Sequence, residues 1–145
     1  MFRPVVRCYL LSSGVDAEEL KGRIRRRLPS LLAQVVSSRL LGSETVAELL
    51  VWQTLYAKSS ASLMAKTPEM DLLLRVAGTT QISEAIALAG AKRGEASILI
   101  ASGSRGDLAR LTSEFRPGKR LQRRRLTPPE SMLIEKAATL NATRG

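Results

Sequence analysis

The side chains this sequence lacks limit its chemistry as much as those it carries. Its 145 residues include no histidine and a single cysteine, Cys8. Without imidazole there is no Ser-His-Asp or Cys-His nucleophile pair and no His-ligated zinc. One thiol can form neither an intrachain disulfide nor a thiolate zinc cluster, and Cys8 falls in a predicted buried strand, where it reads as packing. The carboxylates Asp16, Glu18, Glu19, Glu44, Glu48, Asp107 and Glu130 fall in expected first turns of helices, where capping accounts for them. No pair stands out as an acid/base couple. Gly103-Ser104-Arg105-Gly106 lacks the Lys-Ser/Thr ending of a phosphate loop and reads as a turn. The expectation is a protein that is not an enzyme, with no cofactor, no metal and no small-molecule substrate.

Binding chemistry is better represented. Lys and Arg number 23 against 13 for Asp and Glu, a formal charge of +10, which favours an anionic partner. Seventeen of the basic residues are Arg, which codon bias or an ion-pair-rich surface would also produce. Their clustering argues for a docking surface: Lys21, Arg23, Arg25, Arg26 and Arg27 form one group, and Arg116, Lys119, Arg120, Arg123, Arg124 and Arg125 another. Two Phe, one Trp and two Tyr are too few for a base-stacking platform, so phosphate contact is the expected mode. One segment exceeds structural need: Arg75-Val76-Ala77-Gly78-Thr79-Thr80-Gln81-Ile82 reads as a strand end, a Gly turn and a helix start. Free N–H groups there, with Arg75 beside them, would attract an anion, although a tight turn and a Thr cap explain the same letters.

The elements that must position these residues follow from periodicity. Strands are predicted at 5–11, 32–38, 71–77 and 96–101, with a polar edge strand at 121–126 whose arginines would discourage aggregation. Asp16 with Glu19 opens a helix whose stripe is Ala17, Leu20, Ile24 and Leu28, with Arg25–Arg27 in its last turn and Pro29 beyond it. Thr45 with Glu48 opens a helix that is apolar nearly all round and therefore buried. Thr79-Thr80 cap a short helix over Ile82, Ala85, Ile86 and Ala89, closed by Gly90 as C′ residue. Gly106-Asp107 begins another helix, closed by Pro117-Gly118, and Thr127-Pro128-Pro129-Glu130 starts a terminal amphipathic one. The expected fold is α/β: a single domain over 1–145 with a mixed β-sheet of about five strands flanked by helices. No apolar stretch reaches a membrane span and no signal peptide is recognisable, so a cytoplasmic location and no membrane partner are expected.

Leu73-Leu74-Arg75-Val76-Ala77-Gly78-Thr79-Thr80-Gln81-Ile82-Ser83-Glu84-Ala85-Ile86, followed by Gly90 and a Ser97-Ile98-Leu99-Ile100 strand, resembles the small kinase-binding subunit of the KEOPS complex. The likeness extends more loosely to the helix over 44–58, to Ser62-Leu63-Met64-Ala65-Lys66 and to the final helix. The segment 116–125 matches no shared motif. The resemblance implies a non-catalytic regulatory subunit that binds and supports an atypical kinase/ATPase. It also implies a role in tRNA processing: holding tRNA, in particular its single-stranded 3′ CCA end, for threonylcarbamoyladenosine modification beside the anticodon.

Carried onto this sequence, the resemblance implies RNA contacts at Lys58, Lys66, Arg75, Thr79 and Gln81, with Gly78 allowing close backbone approach and Ile82 backing the pocket. The kinase partner is placed on the terminal helix, at Met132, Leu133, Ala137 and Leu140. A stand-alone basic RNA- or DNA-binding module is the alternative. An enzyme acting on a phosphorylated ligand at the Gly78 turn is disfavoured by the missing histidine and phosphate loop.

Overall fold

The computed structural model describes residues 4–140. Four strands form one sheet in the order β2-β3-β1-β4: β1 (Val5–Leu11), β2 (Leu32–Ser37), β3 (Ser97–Gly103) and the two-residue β4 (Lys119–Arg120). Every pairing is antiparallel, with Cys8 opposite Ile100 and Ala33 opposite Ala101, so the sheet is not mixed. Six α-helices flank it among the described residues: α1 (Ala17–Arg27), α2 (Glu44–Ser59), α3 (Pro68–Ala77), α4 (Ile82–Ala89), α5 (Arg105–Phe115) and α6 (Pro128–Ala138). None is long and apolar enough to cross a membrane.

Side-chain alternation along the strands divides the core in two. Val6, Cys8, Val36, Ile98 and Ile100 pack with the buried faces of α2, α3, α4 and α6. Tyr9, Leu11, Ala33, Val35, Leu99 and Ala101 pack with Ile24 of α1 and Leu108 and Leu111 of α5. A sheet buried on both faces explains why these strands read as near-continuous apolar runs.

Residues 71–77, expected as a strand, are the body of α3. A short, mostly apolar run fits either period, and here its flanks decide. The Thr67 side chain accepts from Met70 N–H, Pro68 occupies the first turn, and Gly78 closes the helix in the left-handed region at φ 71°. Arg75 thus projects from a helix and not from a strand end. The expected edge strand at 121–126 is irregular; only Lys119 and Arg120 pair with β1.

Smaller differences follow the same logic. Ser43, not Thr45, caps α2, and Ser104, not Gly106, caps α5. Neither Thr79 nor Thr80 caps α4; Gln81 holds that position without a side-chain bond. Gly90 lies at φ −63°, and its smallness serves packing, since a Cβ there would fall 2.5 Å from the carbonyl oxygen of Ile86. Asp16 caps α1 through Glu19 N–H, and Thr127 with Glu130 forms a full capping box on α6.

Candidate docking surface

The motif residues assemble around α3. Asp71, fully buried, accepts at one carboxylate oxygen from the Thr54 hydroxyl at 2.6 Å and from Arg75 Nε at 2.7 Å. Its other oxygen accepts from the Met64 N–H at 3.0 Å, which ties the segment leading to Lys66 onto α3. Arg75 is 3% exposed and also donates from Nη1 to the Ala137 carbonyl oxygen at 2.8 Å. Its charge is spent inside the fold. The expectation that Arg75 meets RNA is therefore corrected: the spacing of four from Asp71 on one helix gives it a buried counter-ion, and no polyanion reaches it.

At the far end of α3 the chain turns through Gly78, whose N–H donates to the Leu74 carbonyl at 2.8 Å while Thr79 N–H donates to the same oxygen at 3.2 Å. This closure satisfies α3's last carbonyls and aims the chain into α4. Gly78 is itself buried, with Leu133 Cδ1 and Lys136 Nζ of α6 each 3.6 Å from where its Cβ would stand. It serves helix packing and not the approach of a ligand. Thr79 is half-buried and accepts from Gln81 N–H at 3.1 Å, while Gln81 and Ile82 are exposed. Ala85 and Ala89 face the core, so Ile82, Ile86 and Leu88 stand outward, each close to half exposed.

Lys58 and Lys66 are exposed at the opposite end of α3. Lys58 shares a shallow cavity with Pro68 and Glu69 of α3's first turn. The ten residues of α3 span about 15 Å, so the expected RNA-contacting residues fall into two groups at that separation.

On α6, only part of the expected partner face is available. Met132 is 69% exposed and Leu133 half-buried, but Ala137 and Leu140 are buried against the α2–α3 layer. Those two belong to the core: Ala137 from the face of α6 turned to α2 and α3, and Leu140 from just beyond the helix end.

The arginine-rich segment 116–125 has a structural role. Glu44, the first residue of α2 and fully buried, accepts from the Cys8 N–H at 2.9 Å, from Arg120 through both oxygens at 2.7 and 3.0 Å, and from Arg123 at 3.3 Å. Arg123 also bridges Glu48, and Arg124 grips Glu130 at 2.7 and 2.9 Å. Burial pushes the Glu44 carboxyl up, but bonds from Arg120, Cys8 N–H and Arg123 outweigh it and hold the group below its usual range. Arg124 holds Glu130 down to about 2. The segment is a strap clamped to the start of α2. Asp71 is the residue sequence reasoning missed, and capping alone does not account for Glu44; the signal for Asp71 was its spacing from Arg75, visible only once 71–77 is read as a helix.

Among the described residues no group of three or more His, Cys, Asp or Glu could hold a metal. Compared with known families and curated proteins, the chain matches no family model and no curated protein.

Proposed function

We propose that this chain is a non-catalytic subunit of a KEOPS-type assembly, binding an atypical kinase/ATPase and helping to recruit tRNA by its 3′ CCA end. The reading rests on the resemblance of residues 73–86. The observation that carries it is the exposed remainder of that motif: Gln81, Ile82 and Ile86 project from the α3–α4 corner although the fold does not consume them. An interface residue of this kind is an apolar anchor rimmed by polar groups. Lys58 and Lys66, exposed and without an ion pair among the described residues, offer charge at the other end of α3. Two groups about 15 Å apart suit a short single-stranded segment lying along a helix better than one isolated phosphate. Met132, exposed on α6, supplies an apolar contact for the kinase partner.

The test is binding of full-length tRNA and of the same tRNA trimmed of CCA, with Lys58→Glu/Lys66→Glu and Ile82→Glu variants, beside co-purification of a kinase-like ATPase with wild type and Met132→Glu. The reading expects trimming, the lysine variant and Ile82→Glu each to weaken tRNA binding at least tenfold, and the ATPase to be captured by wild type. Binding indifferent to the CCA end, with no ATPase captured, would instead favour a stand-alone nucleic-acid module.

A further inference from the structure

Glu44 and Glu48 of α2 and Glu130 of α6 pair with Arg120, Arg123 and Arg124 of the strap, whereas of the four arginines on α1 only Arg27 makes an ion pair among the described residues. Arg23, Arg26 and Arg27 stand at i, i+3 and i+4 on one face of α1 and line an open groove of about 430 Å³ with Glu114 and Phe115 of α5. Two of the three are held in place. The Arg23 guanidinium lies over the Phe115 ring at 5.7 Å from its centre, and Arg27 Nε donates to Glu114 at 3.0 Å. Arg26 makes no ion pair among the described residues. The groove thus sets three guanidiniums against one carboxylate, on the sheet face opposite α2, α3, α4 and α6.

We propose that this α1–α5 groove binds successive backbone phosphates of double-stranded RNA, as a contact separate from the α3 corner and independent of what that corner binds. Guanidinium forks match phosphate oxygens two at a time, and prior stacking or pairing lowers the entropy lost on binding. An acidic protein is the less suitable occupant. Among the described residues the large exposed apolar side chains are Leu10, Val15, Tyr56, Ile82, Ile86, Leu88 and Met132; none is on α1 or α5, and the groove's own Phe115 is half-buried beneath Arg23. A protein interface there would lack a desolvated anchor, whereas a phosphate backbone needs none. Helix-dipole compensation accounts for cations in the last turn of α1, but Arg23 lies before that turn.

The experiment titrates a blunt-ended RNA duplex, which has no single-stranded end, against wild type, Arg23→Glu/Arg26→Glu, Lys58→Glu/Lys66→Glu and Glu114→Gln over a range of salt. Each lost phosphate contact removes about 0.9 from the slope of log affinity against log salt, so the Arg23/Arg26 variant should bind at least ~10-fold more weakly with a slope shallower by about 2. The lysine variant, an equal reversal of charge outside the groove, should lose less affinity than the arginine variant, and Glu114→Gln, which deletes the only acid lining the groove among the described residues, should bind about two- to fivefold more tightly. The altered side chains of Arg23 and Arg26 are exposed, and an unchanged melting temperature confirms that both variants are folded. Duplex affinity and slope unchanged in the folded Arg23/Arg26 variant would overturn the proposal. So would a polyglutamate peptide that binds as tightly as the duplex and with the same dependence on Arg23 and Arg26.

Discussion

Arg75 on α3 donates to the carbonyl oxygen of Ala137 at 2.8 Å, so a cation paired with Asp71 four residues earlier also closes the C-terminal end of α6. Helix ends leave unpaired carbonyls, and here a neighbouring helix supplies the donor. Removing Arg75 leaves both Asp71 and that carbonyl buried without it. Arg75→Ala should lose about 3–5 kcal/mol in urea denaturation, the cost of stranding one member of a buried ion pair. Arg75→Lys should recover only part of this, because an ammonium lacks the fork that serves both partners. A loss under about 1 kcal/mol in Arg75→Ala would contradict the bridge.

The strap carries the main pH dependence. Glu44 and Glu130 are held below their usual range, Glu130 at about 2. A carboxyl with a depressed folded pKa stabilises fully above its unfolded value, and that contribution drains away as pH falls through the folded value. Stability should therefore decline from about pH 4.5 downward, toward about pH 2 for Glu130. Hydrogen exchange reads it directly: Leu121 N–H, bonded to the Cys8 carbonyl at 2.8 Å, and Glu44 N–H, bonded to Gln122 at 2.9 Å, should lose protection ahead of β3. Equal loss at all sites would show that the strap is not a separate unit.

Glu44→Gln should release the strap at neutral pH. Because Arg120 and Arg123 are each close to half exposed, the cost is smaller than for a wholly buried pair, about 2–3 kcal/mol. Faster tryptic cleavage after Arg120 or Arg123 in the variant is the measurement; an unchanged digestion pattern would refute the anchor.

Cys8 should be inert. Burial pushes its thiol up, and the neighbouring Glu44 carboxylate adds to the shift. Thiolate is the reactive species, so iodoacetamide at pH 8 should label the denatured chain and leave the native one unmodified. Native labelling within tenfold of the denatured rate would count against this packing.

Gly78→Ala should lose about 1 kcal/mol, a fall of about 3–4 °C in Tm, because φ is 71° there and a Cβ disfavours the left-handed region. Space is not the obstacle, since the nearest side-chain atoms lie at 3.6 Å. Gly78→Asn should cost less; an equal loss for both would point to crowding instead.

Local signals were readable wherever one short stretch contains its own reason. Asp16 with Glu19, and Thr127 with Glu130, cap α1 and α6 as their letters suggest. Apolar, β-branched runs placed β1, β2 and β3, and composition excluded imidazole chemistry, an intrachain disulfide and a thiolate metal cluster. The run at 71–77 is short enough to fit the strand and the helix period alike, and only the helical reading makes Arg75 an internal strut instead of an anion site.

What the sequence determined by itself is the supply of groups: a surplus of cations, no histidine, and helices mixed with strands. Tertiary structure alone decided which cations are spent. Arg75, Arg120, Arg123 and Arg124 find carboxylates on neighbouring turns or distant elements, while Arg26, Lys58 and Lys66 make no ion pair among the described residues. Pairing depends on distance through space, and Glu44 meets Arg120 across 76 intervening steps of chain. No local pattern encodes that meeting; the antiparallel sheet and the packing of α2 against it create it.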